Sequence, residues 1–418
     1  MRKTLLLSVS LAAAYVGAVP EITNLTMNQD TDRIVTVAYH LSEPAIVTME
    51  FYTNGVKLAN AAVRTVEGEI NKLVSAGDKT IRWWPYKDTE NGAKVPNGEV
   101  KITAWPTNSP PLFMVLNLSA STDNLRFYPS EEALPFAVTD DAFKTDYLLM
   151  KRIYAAGREW RMGSPSTEAD REGSTSVLAE EAHLVTLTED YYMGVYEVTE
   201  RQYYLVVGSY IGTYADGVLC PANNMSLNTL RGTMTAGGDY DWPLKGHAVH
   251  SNSIIQKFRN KTGGHVLFDL PTEAQWEYMA RAGSPFRFGI PDESASASTN
   301  VAWNSNWPNN QGGQNGHVHV VGLLQPNNWG FYDTLGNVGE WCLDWQAPIN
   351  SSASVTDPVG PDSFVNLDNN GKGIRVARGS GYYWNQKYTR CAARSMGWAP
   401  DQGRNNHGFR LWASATIK

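Results

Sequence analysis

The chain has 418 residues, 35 Lys plus Arg against 42 Asp plus Glu, and a formal net charge of −7. With 18% charged residues and no long run of one sign, it lacks the clustered basic face that nucleic-acid binding requires. Its 36 glycines and 14 tryptophans point to a globular fold held by packed loops more than by long helices, and the length allows two domains with separate cores.

The first 18 residues read as an export signal. Arg2 and Lys3 precede the apolar stretch TLLLSVSLAAAYVGA, and Val16-Gly17-Ala18 offers small residues for cleavage. No later stretch is long and apolar enough to span a bilayer. The expectation is a protein exported to the periplasm, cell surface or medium, with no transmembrane segment after removal of the signal.

Residues 19–107 alternate apolar and polar positions in short runs: RIVTVAYHL, AIVTMEFYT, KTIRWWPY and EVKITAWP. Asn54-Gly55, Ala76-Gly77-Asp78 and Pro96-Asn97-Gly98 separate them. Period-two patterning between such turns predicts an antiparallel β-sandwich. The stretch from Gly77 to Trp105 resembles the ending of small immunoglobulin-like bacterial modules. No catalytic constellation occurs here, so the expected role is a spacer or a docking module. Residues 108–145 open with NSPP, lack periodicity and read as a linker.

Further on, YYMGVYEVTERQYYLVVG predicts a strand running into a helix. Thr199 and Gln202 form its capping box, and Gly208 stops it. LPTEAQWEYMARAG repeats this grammar, with Thr272 and Gln275 as the box and Gly283 as the stop. Their aromatic residues are expected to be framework.

In FYDTLGNVGEWCLDW, Asp333 and Glu340 flank a glycine-containing turn that exposes the carbonyls of Gly336 and Val338. Two carboxylates and two carbonyls are the hard-oxygen donors calcium prefers; the alternative is a carboxylate capping a turn. His317 and His319 share one face of a strand, as two metal ligands would, but the sequence identifies no third. His247 and His250 share a face only if their segment is helical. No Walker loop, nucleophile elbow or His-Glu-x-x-His occurs. The three cysteines, Cys220, Cys342 and Cys391, form no Cys-x-x-Cys pair and no zinc spacing.

Four segments in order, YYMGVYEVTERQY, LPTEAQWEYMARAG, NNWGFYDTLGNVGEW and RVARGSGYYWNQKYTRCAARS…NNHGFRL, resemble the signature blocks of the formylglycine-generating enzyme, or sulfatase-modifying factor, family. The resemblance covers residues 146–414, with AAGREWRMGSP similar to the opening strand. It implies an α+β fold with little regular secondary structure and a C-type-lectin-like core, preceded here by the all-β immunoglobulin-like sandwich. It also implies a calcium site at Asp333, Gly336, Val338 and Glu340. A second site in some members draws on positions near Asn300, Val301 and Gly313, where this chain lacks the carboxylate.

Active members oxidise a substrate cysteine to formylglycine with oxygen and copper held by two cysteines. The resemblance places Trp384 and Thr389 at those positions, and the serine that normally follows a glycine pair is displaced in Gly379-Ser380-Gly381. Neither side chain replaces a thiolate for Cu(I), so copper is not expected. Cys391 matches a different cysteine, whose partner position in some members is Ala280. Arg390 and Arg394 adjoin Cys391, but no neighbouring histidine activates it, which leaves it a weak catalytic candidate.

The expected function is binding of a glycan or protein ligand through the C-terminal aromatic loop. Tyr382, Tyr383, Trp384 and Trp398 are the anchors, and Asn385, Gln386, Asn405 and Asn406 supply hydrogen bonds. The alternative is a formylglycine-type oxidoreductase acting on protein cysteine with altered metal ligation. A third reading makes the chain an assembly subunit docked through its sandwich.

Overall fold

A computed structural model describes residues 19–59, 63–88, 94–173, 176–211, 217–305, 316–349 and 354–418. The expected export signal, and Gly313 of the expected second calcium site, lie outside the described residues. The chain forms two compact units: Met1–Val115 with Leu125–Val138 and Ala415–Lys418, and Leu116–Asn124 with Thr139–Ser414.

In the first unit the alternating runs become strands. One sheet has the order β1 (Ile22–Gln29), β2 (Val35–Leu41), β7 (Gly77–Trp83) and β5 (Val66–Glu67). In the other, β3 (Ala45–Thr53) pairs with β4 (Val56–Lys57), β6 (Lys72–Val74) and β8 (Glu99–Trp105), all antiparallel. Val35, Val37, Tyr39 and Leu41 point inward on β2 because side chains alternate along a strand. They join Ile81, Trp83 and Phe51 in one core, where the Phe51 and Trp83 rings lie 4.5 Å apart. Asn54 (φ 48°) and Gly55 (φ 77°) turn the chain between β3 and β4, the left-handed pair that a two-residue hairpin favours. A short helix, α1 (Pro85–Asp88), follows β7, and the Asp88 carboxylate ties it back to the Trp83 indole N–H at 2.9 Å.

Residues 108–145, expected as a linker, contain strands β9 (Phe113–Asn117) and β10 (Leu125–Tyr128) and two 3-10 turns. Their strands are too short for period-two patterning to stand out.

The second unit is built on several small sheets. In one, β11 (Tyr147–Ile153), β14 (Tyr191–Gly194), β23 (Trp412–Ser414) and β15 (Phe268–Asp269) lie side by side. Another sets β12 (Arg158–Met162) against β13 (His183–Leu187) and β19 (Val355–Thr356). In a third, β16 (Ala302–Trp303) runs parallel to β17 (Leu335–Gly336). The fourth has the order β21 (Met396–Trp398), β20 (Arg375–Arg378), β18 (Gly339–Trp345) and β22 (His407–Gly408).

Helix α2 (Glu200–Val207) carries the expected Thr199–Gln202 capping box and ends at Gly208, φ 90°. Helices α3 (Leu227–Arg231) and α4 (Ile254–Lys261) were not legible by periodicity; Ser226 and Ser253 cap them. Helix α5 (Glu273–Arg281) has the Thr272–Gln275 box, but its stop is one residue earlier than expected. Ala282 is the left-handed C-cap at φ 47°, and Gly283 follows it at φ 77°. A short α6 (Ala295–Ser298) follows. Trp276 and Ala280 of α5 are buried in a core cluster with Met193, Val376, Cys342 and Cys391. The framework expectation for this helix therefore holds.

Buried arginines supply order that the short strands cannot. Arg394 holds the Glu273 carboxylate at 2.7 and 2.9 Å and also donates to the carbonyls of Val177, Ala179 and Ala347. Arg390 reaches Glu168 at 2.7 Å and Glu180 at 2.6 Å, and Arg378 binds Glu277. Each guanidinium satisfies carboxylates and orphan carbonyls together, which a buried charge requires.

Candidate functional site

The C-terminal loop leaves β20 through Gly379 (φ 83°) and Ser380 (φ 69°). Tyr382 turns inward, 5% exposed, and packs with Cys220, Trp303, Val318 and Val338. From Tyr383 onward the rings come to the surface. Tyr383 stacks on Trp384 at 5.8 Å and 23°, and Trp384 meets Tyr388 edge-on at 5.2 Å. All three are half-buried. Asn385 is exposed and caps the 3-10 turn Gln386–Tyr388 by accepting from the Lys387 amide at 3.1 Å. That turn fixes the spacing between Trp384 and Tyr388.

Trp398, half-buried, lies on β21. The Arg404 guanidinium sits over its ring at 4.3 Å. Burial pushes the Tyr383 hydroxyl upward in pKa, while the Trp384 indole and the charge of Arg404 pull it back, so the field of that cation reaches Tyr383. Asn405 is exposed and donates to the Tyr382 hydroxyl at 3.4 Å, while Asn406 is 1% exposed beneath Gly381. Of the eight residues expected at this surface, Tyr382 and Asn406 are support. The other six remain at least partly accessible. Sequence reading missed Arg404 and Lys387, the latter with its ammonium 4.5 Å from the Tyr388 ring centroid. Aromatic spacing gives no hint of which cation will cover a ring.

The calcium motif sits deeper. The turn at Asp333 (φ 52°), Gly336 (φ 83°) and Asn337 (φ 57°) uses three left-handed positions, and a Cβ at Gly336 would lie 1.8 Å from the Trp303 carbonyl oxygen. Asp333 is 2% exposed; one carboxylate oxygen accepts from the Gly322 amide at 2.6 Å, and the other, Oδ1, has no hydrogen-bond partner. Burial pushes its pKa up to about 6. A hard cation suits that bare oxygen. Glu340 is different, because both its oxygens are taken, Oε2 by the Trp276 indole at 2.7 Å and both by Arg410 at 2.6–3.0 Å. Calcium therefore fits the Asp333 end of the motif and not the Glu340 carboxylate. Glu197, fully buried, accepts from Asn337 at 2.7 Å and from the Val338 amide at 3.2 Å.

None of the three cysteines forms a disulfide, and all are buried. The Cys391 thiol lies 3.9 Å from the carbonyl oxygen of Ala280, the residue that the resemblance sets opposite it. Burial drives its pKa up to about 11 despite the Arg281 charge. Thr389 is fully buried, with its hydroxyl donating to the Gln386 carbonyl at 3.1 Å. The His317 and His319 rings are 4.9 Å apart, but His319 stacks on Trp303 at 3.7 Å. Among the described residues no group of three His, Cys, Asp or Glu side chains is placed to hold a metal. His247 is bound to Asp269 at 2.9 Å and stacks on Trp412, a structural role.

With this architecture in place, comparison with known families assigns the class. The chain belongs to the family of sulfatase-modifying factor enzyme 1-like domains, which matches residues 149–415. Among curated proteins it is 38% identical over 158 residues to the formylglycine-generating enzyme of Streptomyces coelicolor, covering 35% of this chain and 47% of that protein. It is also 30% identical over 149 residues to the mouse inactive C-alpha-formylglycine-generating enzyme 2, covering 35% of this chain and 43% of that one. The chain thus spans less than half the length of these curated relatives. A solved structure, Treponema denticola variable protein 1, superposes with a TM-score of 0.47 at 22% identity, over 64% of this chain and 95% of that one. Among the described residues no helix is long and apolar enough to cross a membrane.

Proposed function

We propose that this chain is an exported, ligand-binding member of its family that does not oxidise cysteine. The observation that carries this reading is what stands where the family's copper thiolates belong. Trp384 is part of the aromatic face, and Thr389 is buried with its hydroxyl turned to the Gln386 carbonyl. The remaining thiol on the segment, Cys391, is buried and held protonated by a pKa of about 11. A protonated, enclosed thiol is neither a copper ligand nor a nucleophile. What is left accessible is a face of half-buried rings with amide groups around it, suited to a glycan or an exposed protein segment.

In this reading the second unit has the lectin-like core of the family, Asp333 is its calcium ligand, and the first unit is an immunoglobulin-like docking module. That a mouse relative is named inactive is consistent with members of the family working without oxidation.

The test is to incubate the calcium- and copper-loaded protein in air with cysteine-containing sulfatase-type peptides, beside an active family member, and to follow aldehyde by mass spectrometry. No aldehyde is expected. Aldehyde formation that disappears with Cys391→Ser would overturn the reading in favour of an oxidoreductase with altered ligation.

A further inference from the structure

The accessible face carries charge as well as rings. Arg404 is exposed, stacks on Trp398 at 4.3 Å, and is near enough to Tyr383 for its field to reach that hydroxyl. Among the described residues no carboxylate lies within ion-pair distance of it. Lys387 stacks on Tyr388 and likewise makes no ion pair among the described residues, although Glu172 and Asp170 are near enough for their fields to reach it. The buried arginines of this unit behave in the opposite way, each gripping a carboxylate. An arginine stacked on a tryptophan keeps its in-plane N–H groups directed outward, free to meet a planar anion in two parallel hydrogen bonds.

The rings are arranged for a ring-shaped partner. Tyr383 and Trp384 are nearly parallel at 23°, and Tyr388 stands at 84° to Trp384. Flat faces at two inclinations suit the apolar faces of successive sugar rings. Asn385 and Asn405, both exposed, offer donors and acceptors to hydroxyl groups. A peptide docked by strand addition would instead need an exposed sheet edge, and residues 382–388 form a turn rather than a strand.

We propose that this face selects an anionic carbohydrate, a glycan bearing carboxylate or sulfate groups, with Trp384 and Tyr383 as the stacking platform and Arg404 as the anion-binding residue. The inference rests on the reading of this face as a ligand site and narrows it to one ligand class. The protein's net charge of −7 makes nonspecific attraction of polyanions unfavourable, so binding of one would have to be local.

The experiment measures binding of the full chain by calorimetry to polygalacturonate, dextran sulfate and neutral dextran at 50 and 200 mM salt. At least one acidic polymer is expected to bind, more weakly at high salt, while dextran does not. Whichever of the two binds identifies carboxylate or sulfate as the anion. Arg404→Gln should weaken that binding about tenfold, the loss of one charge-assisted contact, while Arg82→Gln in the first unit should leave it unchanged. Dextran binding as tightly as the acidic polymers, or equal losses from both arginine variants, would overturn the inference. If no polymer binds but a peptide library yields ligands lost in Trp384→Ala, the glycan assignment fails and the ligand-binding reading stands. If neither polymers nor peptides give binding that depends on Trp384, both fall together.

Discussion

Arg410 and Glu340 form a fully buried pair, with Nη2 2.6 Å from Oε1 and Nε 3.0 Å from each carboxylate oxygen. The same guanidinium donates to the carbonyls of Gly194, Val195 and Tyr332. Removing the cation leaves Glu340 charged and enclosed and frees three carbonyls. Arg410→Met is expected to cost ~3–5 kcal/mol in urea denaturation, and the double variant with Glu340→Gln less than the sum of the singles.

His407 predicts an acid limb. It is fully buried, neither ring nitrogen has a hydrogen-bond partner, and its ring packs against Trp341 and Trp398. Burial, with the Arg404 charge adding to it, lowers its pKa from 6.5 to about 3. The unfolded chain therefore takes up a proton below pH ~6.5 that the folded chain refuses until about 3, so stability falls as pH drops through that window. The full loss is on the order of 4–5 kcal/mol, and His407→Leu should flatten the slope in urea melts between pH 7 and 4. An unchanged slope would mean that the imidazole has a partner in solution.

The thiols should be silent. With all three cysteines buried and Cys391 held near a pKa of about 11, Ellman's reagent should find no fast-reacting thiol in the folded protein and three after denaturation. Rapid labelling of one thiol in the folded state, lost with Cys391→Ser, would contradict the enclosed position of that residue.

Gly336 has no room for a side chain. At φ 83°, with the Trp303 carbonyl oxygen 1.8 Å from where a Cβ would stand, the obstacle is backbone and cannot rotate away. Gly336→Ala should lose more than ~3 kcal/mol or fail to fold, whereas Gly55→Ala, with open space around it, should lose only about 1 kcal/mol from its positive φ.

Calcium separates the two carboxylates of the turn. If Asp333 is the ligand, millimolar calcium raises the thermal midpoint of the wild type and a chelator reverses it. Asp333→Ala should abolish that response. Glu340→Gln should lower the midpoint in the absence of calcium yet keep the response. A response lost equally in both variants would put Glu340 back among the ligands.

Local grammar was legible in the sequence, and long-range chemistry was not. Thr199–Gln202 and Thr272–Gln275 formed as boxes because capping is decided within four residues. The runs of the first unit formed paired strands because period two is a local signal with a tertiary consequence. Position 282 escaped because an alanine there accepts a left-handed conformation under the demands of the surrounding fold. At the face, the ring positions could be read, but their burial could not. Tyr382 and Tyr383 are adjacent in sequence, yet one is a buried member of a core cluster and the other packs half-buried against its edge. The stacking of Arg404 on Trp398 needs a loop closed over six residues, for which sequence offers no periodicity.

The buried arginines also bear on how the second unit comes into being. Arg378 meets Glu277 across 101 residues, Arg390 meets Glu180 across 210, Arg394 meets Glu273 across 121 and Arg410 meets Glu340 across 70. In every case the carboxylate is made first and the arginine follows. Glu277 has Arg281 beside it four residues on, but a growing chain holds Glu180, Glu273 and Glu340 without these arginine partners until the segment from residue 378 onward has been synthesised. Contacts of such separation must close large loops before any of them is rewarded, which favours slow, cooperative folding and a long interval in which a chaperone can hold the chain.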